Sequence, residues 1–274
     1  MTTPPPSPAS ESSPPSPRGK GAGGVGSHPI PTDHLPGFAP ERKAAYVEAM
    51  FDTIAPRYDL MNRLMTFGMD RRWRNCVVAR AAPPVGGSAL DVATGTGDIA
   101  LALARRVGPR GAVLATDFSE GMMRPGPGKA AKAGVGGIVR FMAADALALP
   151  FPDNTFDCVT SGFAMRNVTD IERAFREMRR VTKPGGRVVC LDVAKPDFPP
   201  VRFLHQGYFN RVVPLLGRIV TGHGEAYRYL PESARNFPPP PALKAIMERA
   251  GLRDVRFRRL TLGAVAVHTG TKTD

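Results

Sequence analysis

From residue 41 onward, apolar positions fall into two alternating rhythms. Runs at 88–94 (SALDVAT), 111–117, 138–144, 156–163 and 186–193 have the length and β-branched content of buried strands. Helical spacing separates them, at 98–107, 119–133 and 169–182. The third is the cleanest, with Ile171, Phe175, Met178 and Val181 on one stripe and Lys183-Pro184-Gly185-Gly186 as its stop. Strand–helix alternation with short connections predicts an α/β domain, its parallel sheet covered on both faces.

Both flanks of this alternation differ from it. Residues 41–80 read as two helices, with Tyr46, Met50, Phe51 and Ile54 at helical spacing and then Leu60 to Val78. Residues 199–220 predict an irregular helix interrupted at Pro214 and Gly217, followed by a helix at 241–251. Two strand-like runs, DVRFRRLT and GAVAVHTG, meet at Leu262 and Gly263. So short a connection predicts an antiparallel hairpin at one sheet edge. No internal repeat interrupts the scheme.

Composition adds a boundary. Residues 1–40 are mostly Pro, Ser, Gly and Ala, too poor in large apolar side chains to offset chain entropy, which predicts a disordered extension before a domain at 41–274. This stretch lacks the charged start and apolar core of a secretory signal, and its two basic residues, Arg18 and Lys20, are too few for a transit peptide. The 274 residues are 42% apolar, enough for a sizeable core, which excludes wholesale disorder. Three scattered cysteines fit neither a disulfide scaffold nor a zinc site and read as buried thiols. The formal charge of +13 is spread along the folded region. It fits a solvated surface, a nucleic-acid face or an anionic membrane surface, and decides between none of them.

The richest chemistry lies in Ala89-Leu90-Asp91-Val92-Ala93-Thr94-Gly95-Thr96-Gly97-Asp98-Ile99-Ala100, where an apolar strand runs through Gly-x-Gly into a helix. Glycines at 95 and 97 permit a tight turn and let a ligand lie on bare main chain. Asp117, twenty residues after Gly97, ends the second strand, where a carboxylate accepts ribose hydroxyls. A nicotinamide dinucleotide would suit these features almost as well. Two acids favour S-adenosylmethionine instead. Asp91, inside the first strand, can orient the loop and face a cationic methionine end, whereas a pyrophosphate would be repelled. Asp145, followed by Ala146 at the end of the third strand, can read an adenine edge.

Several longer stretches carry a resemblance. Tyr58-Asp59-Leu60-Met61-Asn62-Arg63-Leu64-Met65-Thr66-Phe67-Gly68 through Trp73, Leu149 to Asp157, Arg166-Asn167-Val168-Thr169-Asp170, Arg180 to Arg187, Tyr227 to Ser233 and Phe237-Pro238 resemble the ubiquinone/menaquinone biosynthesis C-methyltransferases. The likeness spans residues 44–272. It implies a class I S-adenosylmethionine-dependent methyltransferase fold, with a Rossmann-like seven-stranded sheet whose last strand is antiparallel. It implies cofactor contacts at Thr96, Asp117, Asp145 and Ala146, added to Asp91, Gly95 and Gly97 from the loop. Three departures stand out. Many members have serine where this chain has Gly162, its own serine being Ser161, which points the other way in a strand. Asp192-Val193-Ala194 replaces Glu-Phe-Ser, and Gly222-His223-Gly224 is unusual.

The resemblance implies ring C-methylation of a prenylated hydroquinone, most simply demethylmenaquinol to menaquinol. The alternative quinol is the 2-methoxy-6-polyprenyl-benzoquinol of ubiquinone synthesis. Arg166, past the fourth strand, is expected to stabilise a phenolate or orient a water, since a guanidinium is a poor base. The bland alternative for it is an ion pair with Asp170. Tyr58 is the second catalytic candidate, its alternative being helix packing. His205, His223 and His268 rank lower. The greasy segment 199–220, with Arg211 and Arg218 seven apart, suits either a lid over a polyprenyl tail or a helix packed on the sheet. It belongs to a lid-like insertion at 199–237. These features predict a cytoplasmic enzyme with transient contact at the inner face of the cell membrane. A homo-oligomer is left open, and no metal or nucleic acid is expected. An RNA methyltransferase is disfavoured because Gly162-Phe163-Ala164-Met165-Arg166-Asn167 stands where those enzymes carry Asn/Asp-Pro-Pro-aromatic. A non-catalytic cofactor-binding subunit is disfavoured by the intact glycine loop.

Overall fold

The computed structural model describes Val47, residues 49–221, Pro231 and residues 233–274. The proline-rich extension at 1–40, His223 and most of Tyr227–Ser233 lie outside the described residues. In chain order the main elements are α1 (Tyr58–Met65), α2 (Asp70–Ala81), β1 (Ser88–Val92), α3 (Asp98–Val107), β2 (Ala112–Asp117), α4 (Glu120–Met123), α5 (Gly126–Lys132), β3 (Val139–Ala143) and β4 (Phe156–Gly162). They continue through α6 (Ile171–Val181), β5 (Thr182–Val193), α7 (Pro199–Gly207), α8 (Val213–Thr221), α9 (Pro240–Arg249), β6 (Arg253–Leu260) and β7 (Val265–Thr271). The seven strands run in the order β3-β2-β1-β4-β5-β7-β6. Strands β1 to β5 pair in parallel, while β7 is antiparallel to both β5 and β6.

Strand alternation explains the two-faced core. Ala89, Val113, Ala115, Cys158, Val189 and Leu191 point to the face covered by α2 and α3. Their neighbours Leu90, Val159, Val188 and Cys190 point to the face covered by α6 and α9. A period of two on strands buried on both sides leaves no polar face, hence the near-continuous apolar runs in the sequence. Burial pushes the Cys158 thiol up to about 12, with Asp157 and Asp91 adding to it. Cys190, completely enclosed, is raised well above the ordinary thiol value.

The predicted elements are present, with local differences that have physical causes. The second amino-terminal helix is two helices, α1 and α2, separated at Gly68, whose φ of +75° ends the first. The predicted helix at 119–133 breaks around Pro125 into α4 and α5. In the 199–221 helix the irregularity is a π segment at Tyr208–Val212 rather than a break at Pro214 or Gly217. Pro214 lacks an N–H and its ring crowds the carbonyl four residues back, at Asn210, so the wider turn absorbs the proline just before it.

Two of the family-like stretches meet at the foot of the sheet. The Arg180 guanidinium donates to the Leu149 and Phe151 carbonyls at 2.8 and 2.7 Å and pairs with Glu177 and Asp153. Lys183 pairs with Asp157 at 2.7 Å, and Asp157 accepts from the Ser88 N–H at the foot of β1. These residues brace the bottom of the sheet.

Helix α6 begins where the Asp170 carboxylate accepts from the Arg173 N–H at 2.9 Å, and its apolar stripe buries Ala174, Phe175, Met178 and Val181. Phe175 is fully enclosed and sits in the α6–α9 core. Phe175→Ala is expected to lower unfolding free energy by about 3–5 kcal/mol, read from the urea midpoint. A loss under about 1 kcal/mol would mean that this layer collapses around the gap.

Candidate active site

At the carboxyl ends of the strands the chain leaves β1 toward β2 on one side and later crosses from β3 to β4 on the other, and a crevice opens between β1 and β4. It holds a cavity of about 210 Å³ walled by the loop after β1 (Ala93, Thr94, Gly95, Thr96), by Asp117 and Ser119 after β2, and by Asp145 and Ala146 after β3. Gly162, Phe163 and Asn167 close it from β4, and Phe51, Tyr58 and Asn62 from the amino-terminal helices.

The loop is held from behind by carboxylates. Asp91 is buried and accepts from Thr94 Oγ1 and Thr160 Oγ1, both at 2.6 Å. Burial raises it to about 6, against those two hydrogen bonds. Asp117 accepts from the Gly95 N–H at 2.7 Å and the Ser119 N–H at 3.0 Å, and burial raises its pKa too. Asp145 is exposed at the rim and accepts from the Leu147 N–H. Ala93 and Phe163, the residues that leave β1 and β4, both take left-handed φ values of +53° and +59°. Such backbone is costly for side-chain-bearing residues, and both line the cavity.

Two of the residues predicted from the sequence stand behind the cavity wall. Asp91 orients the loop but is not in the cavity wall, because Thr94 and Thr160 stand over its oxygens. Gly97 is not in the wall either. Its φ is +87° and a Cβ there would come within 2.8 Å of the Phe141 ring, so this glycine serves helix–strand packing. Gly95, Thr96, Asp117, Asp145 and Ala146 do line the cavity. Gly162 also lines it, whereas Ser161 is buried away from it with its hydroxyl unpartnered.

A second cavity, of about 230 Å³ and mainly apolar, lies beside the first. Tyr58, Asn62, Arg74 and Phe163 belong to both walls. Met65, Phe67, Trp73, Tyr208 and Phe209 give the second its greasy lining. Arg166 is its buried cation. One Nη1 donates to Asp192 Oδ1 at 2.9 Å and to the Phe163 carbonyl at 2.6 Å, while its buried Nε has no protein acceptor. The partner is Asp192 at the end of β5, and the predicted alternative, Asp170, caps α6 instead. His205 also lines this cavity, its ring 4.5 Å from that of Phe209, and burial lowers its pKa. His268 is a core residue bonded to the Pro240 carbonyl and is lowered to about 4 by burial.

The sequence reading missed what ties the helical roof to the loop. Asp59, Asp98, Lys129 and Arg74 join in one network around Thr96. Asp59 follows Tyr58 directly, but no spacing rule brings Lys129, seventy residues on, to the same point.

The model for the ubiE/COQ5 methyltransferase family matches residues 40–272. The chain belongs to this family. A demethylmenaquinone methyltransferase of Roseiflexus castenholzii (strain DSM 13941 / HLO8) is 54% identical over 233 residues, covering 85% of this chain and 96% of that protein. A ubiquinone/menaquinone biosynthesis C-methyltransferase UbiE of Hahella chejuensis (strain KCTC 2396) is 44% identical over 230 residues, covering 84% and 92%. Among solved structures, an S-adenosylmethionine-dependent methyltransferase of Thermotoga maritima shares the fold at a TM-score of 0.59 and 19% identity, over 83% of this chain and all of that one. Phosphoethanolamine N-methyltransferase 2 of Haemonchus contortus, solved with S-adenosyl-L-methionine, shares it at 0.55 and 15%, over 74% and 53%.

The raised pKa of Asp91 has a thermodynamic sign. Between its ordinary value of 3.8 and about 6, the folded chain keeps a proton that the unfolded chain has lost. Stability from this group is therefore greatest in acid and is lost as pH rises through that window, by about 3 kcal/mol in all. Asp91→Asn should flatten this slope, seen as a gain relative to wild type at pH 7 over pH 4 in denaturant titrations. A constant difference across the window would mean that Asp91 titrates normally.

Proposed function

We propose that the enzyme methylates a ring carbon of a prenylated hydroquinone from S-adenosylmethionine, with demethylmenaquinol as the acceptor. The observation that carries this reading is the apolar cavity beside the glycine-loop cavity, with the buried Arg166 guanidinium anchored in its wall. It is supported by the names of the Roseiflexus and Hahella relatives.

The residues of the first cavity fit the cofactor. Asp117 spends one lone pair of each oxygen on main-chain N–H groups and keeps others for ribose hydroxyls. Asp145 engages one oxygen with Leu147, which leaves the other for an adenine amino group, with Ala146 beside it. Thr96 and the bare backbone at Gly95 hold the amino-acid end. When bound, S-adenosylmethionine supplies an electrophilic sulfonium methyl.

The chain's own contribution is alignment, charge and exclusion of water. A quinol carbon becomes nucleophilic when a ring hydroxyl ionises. Arg166, always protonated and fixed by Asp192 and the Phe163 carbonyl, stabilises that phenolate in a nearly dry pocket. Its unpartnered Nε is a spare donor for a ring oxygen or an ordered water that carries the proton away. Tyr58, Asn62 and Phe163, common to both walls, would hold a ring at the junction of the two cavities. Holding two reactants in register is worth up to about 7–11 kcal/mol of barrier.

The same reading gives the polyprenyl tail a place. Phe198, Phe203, Leu204, Leu215 and Ile219 are exposed, as are Phe67 and Leu262 near the second cavity. Arg202, Arg211 and Arg218 lie among them. The described helices over 199–221 serve as a lid in this reading, and their exposed apolar and basic side chains meet the anionic surface of the membrane that holds the tail. No helix among the described residues is long and apolar enough to cross a membrane, so contact is from one side.

The deciding assay supplies labelled S-adenosylmethionine with reduced demethylmenaquinone or the methoxy-benzoquinol, separately, in detergent. Methylation of the naphthoquinol is expected. Arg166→Ala should reduce kcat about 10²-fold or more while cofactor affinity changes little. Cofactor binding without methylation of either quinol would overturn the reading.

A further inference from the structure

Lys129 lies on α5, outside both cavity walls, yet its ammonium meets the elements that build the cofactor site. It pairs with Asp59 Oδ2 on α1 at 2.6 Å, with Asp98 Oδ1 at the start of α3, and donates to Thr96 Oγ1 in the glycine loop at 3.0 Å. Three donors thus meet three oxygens, and the ammonium is fully used. Thr96 Oγ1 in turn donates to Asp59 Oδ1 at 2.6 Å. On the other side, Asp98 pairs with Arg74 of α2 at 2.9 Å, and Arg74 pairs with Asp70 at 2.5 Å.

The geometry of these contacts is that of a latch. The roof helix α1 carries Tyr58 and Asn62 over both cavities, and its apolar contacts run to the 208–220 region. Polar ties from the roof to the sheet domain end on the cavity-wall residues Ser119, held by Asp52, and Thr96, held by Asp59, and on Lys129 behind the wall. Without the ammonium, Asp59 and Asp98 would be two carboxylates facing each other across Thr96. Their repulsion would lift α1 from the loop.

We propose that Lys129 is a positioning residue that latches α1 over the cofactor cavity and so sets how fast cofactor and product pass. This inference rests on the cofactor reading above for its ligand, but not for the latch itself. Partly exposed pairs of this kind are screened by salt, so the latch should loosen as ionic strength rises.

Two readouts on the full chain test it. In the ligand-free protein, amide exchange in α1 should be about tenfold faster in Lys129→Met than in wild type, with β1 and β4 unchanged. The second readout is dissociation of S-adenosylhomocysteine, followed by the fluorescence of Trp73, the only tryptophan. Lys129→Met should speed release about five- to tenfold, and Lys129→Arg should recover part of the loss. Raising sodium chloride from about 0.05 M to about 1 M should accelerate wild type toward the variant and leave the variant nearly unmoved. With Asp59→Asn, the double variant should release no more than about twofold faster than either single one. Unchanged α1 exchange in Lys129→Met, or effects of the two substitutions that multiply independently, would overturn the latch. Wild type that binds no S-adenosylhomocysteine would sink the cofactor reading, while the exchange comparison still decides the latch.

Discussion

The exit of the chain from β1 is the constraint on which the upper end of the molecule depends. Ala93 turns into the left-handed region and the backbone doubles back through Thr94 and Gly95. A turn this tight exposes main-chain groups that must be bonded. Asp91 takes the Thr94 hydroxyl, and Asp117, from the neighbouring strand, takes the Gly95 N–H. The second bond exists only because β1 and β2 lie in register, with Val92 opposite Thr116. Sheet pairing, loop shape and cavity wall are thus one cooperative unit, in which the buried Asp91 and the partly buried Asp117 do the work of a scaffold.

The change from parallel to antiparallel pairing beyond β5 sets the second compartment. Because β7 runs back against β5, the short turn after β6 lands at the same end of the sheet as the cavities. There Thr261 accepts the Trp73 indole N–H at 2.8 Å, which ties α2 to the turn. Trp73 packs on Phe163, whose carbonyl and ring both hold the Arg166 guanidinium. This wall of the second cavity is therefore assembled from α2, β4, β5 and the β6–β7 turn, segments far apart in sequence. Phe163, held in left-handed backbone, is one of the four residues common to both cavity walls.

Much of this was legible in the sequence because it depends on local rules. Strand runs, the glycine turn, Asp117 and Asp145 each follow from position within a strand or loop, and the edge hairpin followed from its short connection. The family-like stretches gave Tyr58 and Arg166 but did not separate site from scaffold. Arg180 and Asp157 belong to equally characteristic stretches and brace the foot of the sheet. What could not be read depends on side-chain reach across the fold. Asp91 and Gly97 flank the loop, and their packing partners Thr160 and Phe141, which come from β4 and β3, follow from no local pattern. Arg166 met Asp192 rather than its near neighbour Asp170 because β4 and β5 lie side by side.

The two buried cysteines have a use that is unrelated to catalysis. Cys158 faces the α2–α3 layer and Cys190 the α6–α9 layer, and burial holds both as inert thiols. A thiolate forms, and an alkylating reagent reacts, only after the covering layer has peeled away. The half-buried Cys76 on α2 supplies a faster internal reference. The molecule therefore carries its own pair of opening clocks, one for each side of the sheet, and they can be read by mass without adding a label to the surface.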